Sequence, residues 1–329
     1  MAPRLRLALA LVAVVLVVLA LGALGAWWAL DRWMHTAGPA AEKTVVVLPR
    51  GTGLAGIAAR LGEAGVVDRP WLLQLAARLR ERDRRLQAGE YAFPPGATPD
   101  QVLARLESGE VVLHPVTLAE GLTVAEMFQL LAGNEVLDGE LPPVPPEGTL
   151  LPETFLVPRG QTRAKLVEQM RAGMQAALAQ AWEGRAPGLP LRTAEEMLAL
   201  ASIIEKETAL PAEYPLVAAV FLNRLRKGMP LQTDPTVIYA LTDGKGPLGR
   251  ALTRADLDTA DPYNTYRNPG LPPGPIANPG RGALEAAGRP AEVDYLYFVA
   301  DGTGGHAFAT TLAEHNRNVA RWRRSRNGG

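Results

Sequence analysis

Leu7 to Leu30 is an uncharged apolar run of about 24 residues. At ~1.5 Å rise per residue it spans the ~30 Å hydrocarbon core of a bilayer with some tilt. Arg4 and Arg6 precede it, and Trp27, Trp28 and Trp33 cluster at its far end, where an interfacial aromatic belt would lie. By the positive-inside rule the N-terminus is cytoplasmic and everything after Asp31 lies outside. A cleaved signal peptide is the rival reading, because Leu21–Ala26 (LGALGA) offers small residues. Its apolar core would be too long.

The rest of the chain must fold beyond that membrane. A total of 329 residues suits two globular units. The 47% hydrophobic content supports a sizeable core. Lys+Arg 34 balance Asp+Glu 34, so nothing calls for a nucleic-acid partner. Cysteine is absent, which excludes disulfides and thiolate metal sites. His35, His114, His306 and His315 are scattered, with no HExxH spacing and no G-x-S-x-G elbow. No metal or other cofactor is expected.

Residues 35–43 read as a linker. A strand, Gly turn, helix cue then repeats. Thr44–Leu48 leads through Gly51 to a helix from Leu54, and Glu90–Phe93 through Gly96 to a helix capped by Thr98. Val111–Leu118 leads through Gly121 to a helix capped by Thr123. Gly51–Gly56 is a literal G-x-G-x-x-G. The acidic strand end expected about twenty residues on is missing, so these read as turn glycines rather than a dinucleotide site. Trp71–Leu86 is a basic amphipathic helix whose arginines read as a solvated face, with membrane-surface contact as the lesser alternative.

The chemistry concentrates between Glu195 and Tyr239. Met197 to Ile204 is apolar nearly all round, the pattern of a buried helix, and Glu205 stands at its end. A carboxyl against small and apolar groups loses hydration, which would raise its pKa toward that of a general acid. Glu207 lies about 200° further round the helix and cannot share that face. Tyr214 to Lys227 reads as a second helix, and Leu231–Thr236 as a polar loop in which Asp234 is a second carboxylate or a turn cap. Asp261–Ile276 is a long loop rich in Asn, Thr, Tyr and Pro, and Tyr295–Ala300 with His306–Ala309 a hairpin. A buried acid beside such loops suits a carbohydrate site. One clear acid without an obvious partner suits a lytic transglycosylase, in which the sugar's own C6 hydroxyl replaces water.

Six ordered motifs carry a family resemblance: ASIIEKET (residues 201–208), FLNRL (221–225), LQTDPTVIYAL (231–241), YNTY (263–266), GLPPGPIANPG (270–280) and YLYFVADGTGGHAF (295–308). Together they resemble the endolytic murein transglycosylases of the YceG-like family. The resemblance implies an α+β protein with a transmembrane anchor (1–34), a LysM-like α/β region (44–115) and an α+β catalytic domain (116–329). It implies cleavage of nascent peptidoglycan strands to 1,6-anhydro-N-acetylmuramic acid ends, terminating their elongation beside peptidoglycan synthases. Glu205 would be the acid/base. Glu147, Asn223, Gln232, Thr233, Asp234, Asn264, Thr265 and Tyr266 would hold the glycan. A muramidase using water, and a noncatalytic peptidoglycan-binding scaffold, are the alternatives.

Overall fold

The computed structural model describes residues 3–327, which form two compact units. The first comprises the chain up to His114 with Val157–Gly160. The second comprises Pro115–Leu156 and the chain from Gln161 onward.

The first unit opens with α1 (Pro3–Met34). Side chains from Leu7 to Ala29 are exposed, whereas Leu30 and Met34 are buried in the unit's core. The helix is apolar and long enough to cross a membrane. β1 (Thr44–Leu48), α2 (Leu54–Glu63), α3 (Pro70–Leu79), β2 (Gly89–Phe93) and α4 (Pro99–Ser108) follow. β1 and β2 pair antiparallel, Thr44 opposite Phe93 and Leu48 opposite Gly89. Val46, Leu48, Tyr91 and Phe93 point inward onto Ile57, Leu61, Leu73 and Leu103, as period-2 alternation directs. Gly51 has φ +81, a left-handed turn that glycine adopts without penalty. It ends β1 and aims the chain into α2. Thr98 closes a capping box with Gln101 at the start of α4, with Pro99 in the first turn.

The arginine-rich stretch departs from the sequence expectation. α3 stops at Leu79. Arg82 donates to Asp100 at 2.6 Å and, through two nitrogens, to Glu107 at 2.9 Å, and Arg80 donates to Asp31 at 2.6 Å. Arg80 and Arg82 are therefore internal clamps, whereas Arg78, Arg84 and Arg85 stay exposed as a solvated face would. Helical periodicity cannot show that, because the acids come from α1 and α4.

Further along the chain come β3 (Leu113–Thr117) and β5 (Thr154–Pro158), whose residues are shared between the two units, while the second unit contains α5 (Val124–Ala132), β4 (Leu137–Asp138), β6 (Gln161–Thr162) and α6 (Arg163–Glu183). Next come α7 (Ala194–Glu207), α8 (Tyr214–Arg226), α9 (Asp234–Thr242), α10 (Arg254–Leu257) and α11 (Arg281–Gly288). β7 (Tyr297–Ala300), β8 (His306–Ala309) and α12 (Leu312–Asn327) end it. β3 pairs with β5, the short β4 runs parallel to β6, and β7–β8 is the expected hairpin. α7 is the axis of this unit. Thr193 caps it, every residue from Met197 to Ile204 is buried, and α6, α8, α9 and α11 pack around it. An all-round apolar helix needs such a surround.

Candidate active site

Two carboxylates leave the C-terminal end of α7 in opposite directions. Glu205 is half-buried. Its Oε1 accepts from the Tyr214 hydroxyl at 2.7 Å and its Oε2 from the Gly280 amide at 2.9 Å. The same turn is pinned by Lys206 Nζ, which donates to the Gly121 carbonyl at 3.1 Å. Glu120 lies on this side also, and burial, with the charges of Glu205 and Glu153 adding, raises its pKa. The Glu120 carboxyl lies against Gly280, where a Cβ would meet it. Glu205 therefore ties α7 to α8 and to the start of α11.

Glu207 faces the polar loops. The Thr233 hydroxyl donates to its Oε1. Thr233 N donates to Thr265 Oγ1 at 3.1 Å, and the Thr236 and Thr265 hydroxyls lie 2.9 Å apart. Tyr266 donates its hydroxyl to Asp234 Oδ1 at 2.6 Å. Glu207 keeps some accessible surface, but its carboxyl is crowded on nearly every side. Dehydration pushes its pKa up to about 7. The Asp234 charge adds to the rise, while the Thr233 bond and the charges of His306 and Arg224 oppose it.

This arrangement is assembled from distant segments. Arg224 on α8 donates to the carbonyls of Leu231 at 2.7 Å and Leu296 at 2.7 Å, fixing the approach to α9. Gln232 then takes a left-handed φ of +54, a conformation costly for a residue with a side chain and often kept at functional sites. Its amide side chain is exposed. Glu213 receives His306 twice, the ring Nδ1 at 2.7 Å and the backbone N–H at 2.8 Å, and takes the Thr208 hydroxyl at 2.8 Å. A carboxylate on Nδ1 fixes the imidazole's tautomer and orientation. Thr208 follows Glu207 in sequence, so this network secures the end of α7 against β8.

The expected site residues thus separate. Gln232, Thr233, Asp234, Thr265 and Tyr266 gather on the Glu207 side, not the Glu205 side. Asp234 opens α9 rather than lying in a loop. Thr233 at the N-cap and Pro235 in the first turn are the local signal for that start. Asn264 is fully buried. Its amide nitrogen donates to Leu257 O and Thr259 O, and its oxygen accepts from Tyr266 N. Asn223 donates to Val293 O and Tyr295 O. Both amides are spent on backbone and have no donor left for a sugar. Glu147 accepts from Val124 N at 2.9 Å and Asn278 Nδ2 at 3.0 Å. It covers the start of α5, where orphan N–H groups favour a carboxylate. Burial raises its pKa against those bonds. Glu207, Glu213 and His306 were not among the expected site residues. Helix geometry keeps Glu207 off Glu205's face, yet its own face is the one that meets the loops.

Known proteins resemble the chain along most of its length. It is 30% identical to an endolytic murein transglycosylase of Bacillus subtilis (strain 168), over 85% of each chain. It is also 30% identical to an endolytic murein transglycosylase of Streptococcus pneumoniae (serotype 2, strain D39), over 91% of this chain and 62% of that longer relative. The crystal structure of a YceG-like protein from Listeria monocytogenes superposes with a TM-score of 0.52 at 29% identity, covering 84% of this chain and 99% of that one. The sequence profile described as the YceG-like family matches residues 46–321. With that span covering most of the chain, the chain belongs to the YceG-like family.

Proposed function

We propose that Glu207 is the acid and base of a lytic transglycosylase reaction on peptidoglycan. The chain is an enzyme of the lytic transglycosylase class, as its Bacillus and Streptococcus relatives are named, and peptidoglycan is its substrate class. The observation that carries the residue assignment is the enclosed Glu207 carboxyl, with a pKa of about 7, beside the exposed Gln232 and Asp234. An acid of that pKa is protonated in a large share of molecules at neutral pH and gives the proton up readily.

In this reading Glu207 protonates the glycosidic oxygen between N-acetylmuramic acid and N-acetylglucosamine. The C1–O bond breaks and C1 gains oxocarbenium character. The Glu207 carboxylate then takes the proton of the muramyl C6 hydroxyl as O6 bonds to C1. The proton count closes, no water is consumed, and the product ends in a 1,6-anhydro sugar. In the same reading Gln232, Asp234 and Tyr266 hold the glycan. Thr233 and Thr265 support them from beneath, and Glu213 and His306 position the end of α7.

The finer organisation belongs to the same reading. α1 is a single-pass anchor with its N-terminus in the cytoplasm and the chain after it outside. The β1–α2–α3–β2 order, with its antiparallel strand pair, supports a LysM-like region over 44–115. Cleavage within nascent strands would end their elongation, next to the synthases that make them.

Mass spectrometry of products from purified murein tests the chemistry. Anhydro ends, lighter than reducing ends by one water, are expected from wild type. They should be absent with Glu207→Gln and retained with Glu205→Gln. Reducing ends from wild type would make the enzyme a muramidase. Loss of cleavage in a folded Glu205→Gln, with Glu207→Gln active, would return the acid to Glu205.

A further inference from the structure

The first unit carries an apolar surface that its own fold leaves open. α3 buries Leu73, Ala76 and Ala77 in the core. On its other side Trp71, Leu75 and Leu79 are 64%, 42% and 53% exposed. Their four-residue spacing sets them in one line along the helix. That line runs beside α1. With Ala23, Ala26 and Trp27 it walls an open groove of about 560 Å³.

The position of this groove along α1 is informative. Leu7 to Trp28 is exposed apolar helix, roughly 33 Å at ~1.5 Å per residue, which matches the hydrocarbon thickness of a bilayer. Trp27 and Trp28 then fall at the membrane–water boundary, where tryptophan is favoured. α3 meets α1 at that level. The contact is locked: Arg80 binds Asp31 at 2.6 Å with its guanidinium 5.9 Å from the Trp27 ring centroid, and Trp33 Nε1 donates to Asp68 at 3.0 Å. Arg69 lines the groove, and both it and Arg78 are exposed beside the apolar line. Apolar residues below and arginines alongside is the order of an interfacial helix.

We propose that α3 is a membrane-interfacial helix. Trp71, Leu75 and Leu79 lie at the headgroup–acyl boundary of the bilayer that α1 crosses, a phospholipid acyl chain fills the groove beside Trp27, and Arg69 and Arg78 meet lipid phosphates. The proposal rests on the reading of α1 as a membrane span. The occupant is lipid because the apolar line is continuous with the exposed apolar surface of α1.

The absence of cysteine makes site-specific labelling clean. The full chain is reconstituted in vesicles of phosphatidylethanolamine and phosphatidylglycerol. Nitroxides are placed singly through Trp71→Cys, Leu75→Cys, Leu79→Cys, the span control Leu16→Cys and the aqueous control Arg50→Cys. Collision with dissolved oxygen and with a water-soluble nickel chelate is then measured by electron paramagnetic resonance. Positions 71, 75 and 79 are expected to show an oxygen-to-nickel accessibility ratio several-fold above position 50, approaching that of position 16. Water-like ratios at all three, with position 16 lipid-like, would overturn the interfacial helix while sparing the anchor. A water-like position 16 would overturn the anchor and the helix with it. Shielding from both reagents would mean that protein, such as a second copy, covers the face, and would overturn lipid as the occupant.

Discussion

Glu205 and Glu207 stand two residues apart on one helix and occupy opposite electrostatic settings. Glu205 sits between two donors, the Tyr214 hydroxyl and the Gly280 amide, which suit a carboxyl that holds structure. Glu207 sits in a dehydrated corner with one hydroxyl donor and the like charge of Asp234 nearby, which suits a group that gains and loses a proton. The same side chain thus becomes a strut on one side of α7 and a carboxyl of raised pKa on the other. Neighbouring elements make the difference.

The comparison breaks most visibly by exchanging carboxyl for amide. Glu207→Gln should lower kcat by at least the ~10²–10⁴-fold that a general acid typically supplies, with its circular dichroism unchanged. Glu205→Gln should keep most of kcat and lose about 1–3 kcal/mol of stability, because an amide cannot accept at both positions without leaving a donor misplaced. Turnover assays and denaturant titration read the two effects. Equal loss of activity in both variants would erase the distinction.

Stability against pH sharpens it. The Glu207 pKa rises from an ordinary 4.5 to about 7 on folding, so the folded state holds this proton more tightly than the unfolded one. Its contribution is fully present below the unfolded value and is lost as pH rises through about 7. By ~1.4 kcal/mol per unit, wild type should forfeit up to about 3 kcal/mol across that window. Glu207→Gln should escape this loss. Activity should fall over the same range as the acid loses its proton, and a pH-independent stability difference between the two proteins would count against the buried acid.

Smaller effects should come from the supports. Asn264→Ala should cost about 1–3 kcal/mol by stranding the Leu257 and Thr259 carbonyls and the Tyr266 amide, and a change confined to KM would instead make Asn264 a sugar ligand. Asp234→Asn should move the alkaline limb of kcat/KM to lower pH by less than about one unit, since a like charge that raises the Glu207 pKa is removed. A shift to higher pH would mean that Asp234 is not facing Glu207.

Much of the fold is legible along the chain. The apolar run, the Thr98 and Thr123 caps, the turn at Gly51, the buried α7 and the Asp301–Gly305 hairpin turn are local features, and periodicity and turn chemistry report local features faithfully. The start of α9 is local too, marked by Thr233 and Pro235. The roles of the arginines after α3 are not. Arg80 and Arg82 find their acids on α1 and α4, and no pattern inside one helix names a partner on another.

By itself the sequence determined the family, through six motifs in order, and pointed to Glu205, at the end of one buried helix, as the acid. Only the tertiary structure decided which glutamate there is enclosed, which loop residues reach it, and that Asn223 and Asn264 serve the backbone. The physical reason is that a carboxyl's proton affinity is set by what packs around it. Thr233, Arg224 and His306 arrive at Glu207 from separate elements, brought together only when α8, α9 and β8 close around α7.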